Sequence, residues 1–174
     1  WAYGYITPPD PPEDWSQRCL GSRPRDCDRP GGMPKDLTNA LMSVEGSDLE
    51  FTQAVITSPF SPADWFPGDH PEMPDIVAYG NEEIGLRACA ICHLPNGQGL
   101  MQNAPVAGLP VDYFLRQLDD LASGKRVTAD PHKANGFEMA AMARAMTPEQ
   151  ATAAAEYYSS MPFKPWVKVI ESDT

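Results

Sequence analysis

Cys89-Ala90-Ile91-Cys92-His93 decides how the rest of the chain is read. C-x-x-C-H is the attachment signature of c-type haem. Two thiols at this spacing can each add across a vinyl group of one haem, and the histidine beside the second thiol is placed to serve as an axial ligand of the iron. A redox-active C-x-x-C belongs in a βαβ setting, which the flanking sequence does not supply. A zinc site needs two further Cys or His ligands at short spacing. The other histidines, His70 and His132, stand far from the motif. The motif therefore predicts one covalently attached haem c, bound through Cys89 and Cys92 with His93 on the iron.

The chain has 174 residues and a formal net charge of −11. Up to Pro74 it carries 12 acidic and 5 basic residues, and from Asp75 onward 12 acidic and 8 basic. Such a balance excludes nucleic acid and anionic membrane surfaces as partners and suits a basic or neutral protein. No apolar run reaches the length of a transmembrane helix. The opening Trp1-Ala2-Tyr3-Gly4 has no basic region or apolar core, so it reads as a mature chain whose signal peptide has been removed. The expected location is the periplasm, where haem is joined to such motifs in bacteria. Two cysteines remain, Cys19 and Cys27. In an oxidising compartment they read as a disulfide contributing about 2–3 kcal/mol, with two free thiols as the alternative.

Twelve of the 19 prolines fall in the first 74 residues. Sequence of that kind cannot sustain long helices. Yet it carries Trp1, Tyr3, Tyr5, Trp15, Phe51, Phe60, Trp65 and Phe66, and aromatics at this density want burial. Residues 1–74 are thus expected to form an extended arm, ordered by packing on the haem domain or on another subunit. Within it, Leu49–Ile56 reads as one or two short strands, and Asp64–Pro74 as a rigid junction. His70 there reads as a surface or hydrogen-bonded residue before it reads as a ligand.

Beyond the junction the pattern turns helical. Asp75 is expected to cap a short helix ended by Gly80. Glu82–Cys92 reads as a helix delivering the motif. Asp112–Ser123 has apolar residues at helical spacing and a stop at Gly124. Val127–Gly136 reads as a loop. Thr147-Pro148-Glu149-Gln150 is a capping box with proline in the first turn, opening a helix to about Ser160. Trp166–Ile170 reads as a strand or strap.

An iron held by one histidine and used for electron shuttling needs a second ligand. Methionine sulfur is the usual partner in cytochromes c. Of eight methionines, Met101 follows His93 too closely to cross the haem. Met142, Met146 and Met161 fall at helical positions that suit a core. Met139 follows an irregular loop, where a strap over the distal face should end. By position Met139 leads, with Met142 and His132 as alternatives.

From about Asp75 to Met161 the chain resembles class I cytochromes c, most closely the modules of bacterial periplasmic c4-type cytochromes. Cys89–His93, Asn103–Gly108, Tyr113–Leu118 with Ser123–Arg126, Glu138–Ala143, Met146–Gln150 and Ala154–Tyr158 carry the resemblance. It implies an all-α haem fold, with the first and last helices crossing over the haem. It also implies Met139 as the axial methionine and the Pro105 carbonyl as acceptor of the His93 ring N–H. The resemblance places a haem domain at 75–162; the arm at 1–74 lies outside it and is read from composition alone, and a strap follows at 163–174. The implied function is single-electron transfer between redox partner proteins, or within a larger complex contacted by the arm. A peroxidase-like enzyme or gas binder with a displaceable sixth ligand is the alternative. The chain departs from the pattern at Leu94, where the family often has glycine, and at the irregular run Asn81–Leu86.

Overall fold

The computed structural model describes residues 41–100, 102–129 and 134–164. Cys19, Cys27, Met101, His132 and the strap from 165 onward lie outside the described residues. The described chain is all-α, as expected, apart from one two-residue antiparallel pair. Strand β1 (Leu41–Met42) meets β2 (Phe51–Thr52), with Leu41 opposite Thr52 and Met42 opposite Phe51. Of the expected strand region Leu49–Ile56 only Phe51–Thr52 is strand, because β2 passes directly into a one-turn helix α1 (Gln53–Ile56).

Three longer helices frame the domain: α4 (Val111–Ser123), α5 (Ala134–Ala145) and α6 (Pro148–Ser159). Helix α4 packs on both α5 and α6, and the short α2 (Asp75–Ala78) packs on α6. The start of α6 follows from its sequence. The Thr147 hydroxyl accepts from the Gln150 N–H, and the Gln150 side chain accepts from the Thr147 N–H, so two orphan donors are satisfied reciprocally. Helix α4 stops where Gly124 takes a left-handed conformation at φ +77°.

Two expectations are corrected. Glu82–Cys92 is not a continuous helix. It is a 3-10 turn (Glu82–Ile84), a tight bridge in which Asn81 and Leu86 exchange both backbone bonds, and a single α-turn, α3 (Ala90–His93). Gly85 at φ +70° ends the 3-10 turn, and Gly80 at φ +68° sits so close to the Leu86 carbonyl that no side chain fits. The loop expected at Val127–Gly136 is shorter, because α5 begins at Ala134. Met139 therefore lies inside a helix and not at the end of a strap.

The core gathers Ile76, Val77, Leu86, Ala90, Val106, Tyr158 and Met161. Tyr158 is its centre, with 0% of its surface exposed. Burying a ring of this size removes on the order of 200 Å² from water, worth about 5 kcal/mol of transfer free energy as an upper figure. Its ring stacks on Phe114 at 6.2 Å and meets Tyr157 edge-on at 5.0 Å.

Residues 41–74 lie on this domain. The Pro59 carbonyl accepts from the Ala88 N–H at 2.9 Å, and Met73 packs on the core. Within the junction, Phe51 meets Trp65 edge-on at 4.8 Å, and Ser47 donates to the Trp65 carbonyl. His70 is held by Asp64 Oδ2 at 3.1 Å and the Pro71 carbonyl at 2.8 Å. Both ring nitrogens are thereby engaged.

Candidate functional site

The attachment motif occupies one turn. Cys89 has helical torsions at the N-cap of α3, and its carbonyl accepts from the His93 N–H at 2.9 Å. Positions three and four apart on a helix share a face, so this turn brings Cys89, Cys92 and His93 to one side. The turn ends abruptly at Leu94, with φ +63° and ψ 156°. That region is nearly exclusive to glycine and costs another residue about 1–3 kcal/mol. The strain sits at the position where the sequence departs from the pattern it resembles. It is restrained by the Gly97 N–H and the Tyr158 hydroxyl, both donating to the Leu94 carbonyl.

The imidazole of His93 is fixed from one side. Its Nδ1–H donates to the Ala104 carbonyl at 2.9 Å. This assigns the tautomer and leaves the Nε2 lone pair for a metal. The sequence reading placed this acceptor at Pro105; the structure moves it one residue back. The cause lies in the strap that follows. Val106 N–H and Ala107 N–H both donate to the Gly97 carbonyl, and Gly108 N–H donates to the Tyr158 carbonyl. With the strap pinned from Val106 onward, the carbonyl that faces the ring is that of Ala104.

Electrostatics keep these donors neutral. Burial pushes the Cys89 thiol up to about 12, despite an opposing hydrogen bond from its own backbone. Burial also raises Cys92, against the lowering effect of Arg87 and with that of Glu138. Burial lowers His93, partly offset by the Ala104 carbonyl. Redox dithiols need a depressed thiolate pKa, and these thiols are shifted the other way. Among the described residues no three His, Cys, Asp or Glu side chains group so as to hold an ion. Cys89, Cys92 and His93 thus share no single coordination point, as a zinc site would require. Protonated thiols beside a neutral imidazole with a free Nε2 fit covalent haem, whose edge takes the thiols and whose iron takes the nitrogen.

Helix α5 brings the candidate distal ligand. Asn135, Glu138, Met139 and Met142 recur at three- and four-residue spacing and so share a face. Asn135 donates to Asn103 Oδ1 at 2.8 Å, Glu138 pairs with Arg87 at 3.4 Å, and Met142 packs on the core. Met139 lies on this same face, which meets the attachment segment. Met142 and Met146 pack against the core cluster and Met161 lies within it, whereas Met139 is half-buried outside it. The sequence reading missed Asn103, Asn135, Arg87 and Glu138. Their one sequence signal is adjacency: Asn103 directly precedes Ala104, and Glu138 directly precedes Met139.

No family model matches the chain, and no curated protein matches it. Among solved structures, the chain is similar to the reduced recombinant cytochrome c4 from Pseudomonas stutzeri. The identity is 27% and the TM-score 0.42, over 48% of this chain and 43% of that one. It is also similar to a thiosulfate dehydrogenase from Marichromatium purpuratum. There the identity is 26% and the TM-score 0.45, over 55% of this chain and 19% of that one. The chain spans less than half the length of either.

Proposed function

We propose that this chain is a mono-haem c-type cytochrome that carries single electrons. The observation that carries the reading is the His93 turn. Its two thiols are protonated, and its imidazole is held through Nδ1 by the Ala104 carbonyl with Nε2 left for iron. When bound, the haem supplies one-electron chemistry between ferric and ferrous iron. Cys89 and Cys92 anchor it covalently. His93 would supply a nitrogen to the iron, its ring oriented by the Ala104 carbonyl. Met139 would supply a sulfur ligand from α5, and a sulfur ligand raises the potential. The acidic surface suits a basic or neutral redox partner in the periplasm, and residues 1–74 serve as the segment that contacts a larger complex.

The test is expression of the full chain with a c-type haem-attachment apparatus. One covalently bound haem per chain and a low-spin, six-coordinate iron with a methionine-to-iron charge-transfer band are expected. Met139→Ala removes the band and Met142→Ala keeps it. Loss in Met142→Ala alone refutes the ligand assignment.

A second reading is a haem enzyme or gas binder with a displaceable sixth ligand. One observation favours it: Glu138, next to Met139, is held by an ion pair with both side chains more than a third exposed. Such a pair is worth about 1 kcal/mol or less. Binding of CO to the reduced, folded protein decides for this reading, and its failure to bind decides for the carrier.

A further inference from the structure

We infer that Asn103 and Asn135 position the sixth ligand, coupling the proximal strap to the distal helix through one pair of amides. The inference rests on the assignment of Met139 made above. Asn103 stands next to Ala104, whose carbonyl orients His93. Its own side chain works in two directions. Its Nδ2 donates to the Cys92 carbonyl at 3.4 Å, inside the attachment motif. Its Oδ1 accepts from Asn135 Nδ2 at 2.8 Å, in the first turn of α5. Its backbone N–H donates to the Leu100 carbonyl, and the Leu100 N–H donates to the Cys92 carbonyl.

An amide is the side-chain type that can donate to a carbonyl from one end and accept from the other. Aspartate at 103 has no donor for Cys92, and an aliphatic residue has neither group. Met139 follows Asn135 by one helical turn on the same face. A tether at Asn135 therefore sets where the methionine stands relative to the motif. The neighbouring Arg87–Glu138 pair is a second tether but a partly exposed one. The amide pair, shorter at 2.8 Å and bonded on to the Cys92 carbonyl, carries the positioning.

The role is to bias the equilibrium between methionine seated and methionine displaced. A ligand from solution binds only the displaced state, so its apparent affinity reports that bias. The experiment uses the haem-loaded full chain and imidazole as the probe, in the ferric state, followed by the Soret shift. Asn135→Ala and Asn103→Ala are each expected to bind imidazole about fivefold more tightly, the equivalent of one side-chain hydrogen bond of about 1 kcal/mol. The double variant is expected to match either single variant within about a factor of two, because the two residues share one interaction. If Asn103→Ala takes up no haem, Asn135→Ala alone carries the test.

Lower thermal stability in Asn135→Ala with wild-type imidazole affinity overturns the positioning role, since a merely structural contact moves only stability. Met139→Ala separates this failure from that of the ligand assignment. If it loses the charge-transfer band while Asn135→Ala behaves as wild type, the positioning alone fails. If Met139→Ala keeps the band, the assignment fails and the inference with it.

Discussion

Gly97 is the residue on which the proximal geometry turns, and replacing it by alanine tests that directly. It has φ +72°, and its carbonyl accepts from both Val106 and Ala107. A Cβ there would lie 2.8 Å from Tyr158 Cδ1 and 3.0 Å from both Cβ and N of Ala107. Tyr158 is fully buried and pinned at both ends, so it cannot give way. Gly124 has nearly the same torsion, φ +77°, but no heavy atom lies within 4 Å of where its Cβ would stand. The two substitutions share the backbone cost, about 1 kcal/mol for alanine in the left-handed region. Only Gly97→Ala adds overpacking, about 1–3 kcal/mol. The expected losses are about 1 kcal/mol for Gly124→Ala and about 2–4 kcal/mol for Gly97→Ala. For a domain of this size these correspond to falls in Tm of about 2–4 °C and about 5–15 °C. Denaturant unfolding of the haem-loaded protein, followed by far-ultraviolet circular dichroism, measures both. Gly97→Ala is also expected to shift the reduction potential, because it disturbs the strap that presents the Ala104 carbonyl to His93. Equal losses within about 0.5 kcal/mol, with an unchanged potential, refute the reasoning.

Two further outcomes follow from strain and burial. Leu94→Gly is expected to be more stable than Leu94→Ala by about 1 kcal/mol or more, the reverse of the usual order, because alanine keeps the backbone strain and loses the side chain; chemical unfolding of the two variants checks it. Burial raises Tyr158 well above its ordinary value of 10.0. Its folded pKa exceeds its unfolded one, so its contribution is complete below about pH 10 and declines as pH rises, because the unfolded chain ionises first. The slope approaches about 1.4 kcal/mol per pH unit. Alkaline unfolding should be steeper in wild type than in Tyr158→Phe, and equal slopes would contradict the assignment.

The parts of the fold legible in the sequence were those with a local chemical cause. The capping box at Thr147–Gln150 and the Gly124 stop are satisfied within a few residues of themselves, and both stand as read. The C-x-x-C-H motif likewise forms its own turn. Glu82–Cys92 departs from helix because Gly80 allows a close approach to the Leu86 carbonyl and Gly85 a left-handed turn, which residue-by-residue helix preference does not show. The start of α5 carries no mark in the sequence, because its Ala-rich run has apolar residues on every side and so no periodicity. Pro105 was off by one residue for a non-local reason, since the register of the strap is set by Gly97 and by Tyr158. The amide pair Asn103–Asn135 spans 32 positions, and nothing in either neighbourhood announces it.

The tyrosines of α6 also bear on the order in which the protein comes into being. Tyr157 donates to the Pro95 carbonyl across 62 positions, and Tyr158 to the Leu94 carbonyl across 64. Gln98 likewise donates to the Pro162 carbonyl and accepts from the Lys164 N–H. All of these closures need α6 or the residues just after it, so none can form until that end of the chain docks. Contacts of such separation form last, because loop closure must precede them. Until then Cys89, Cys92 and His93 stand on an unfastened loop. Only when α6 arrives does the loop close.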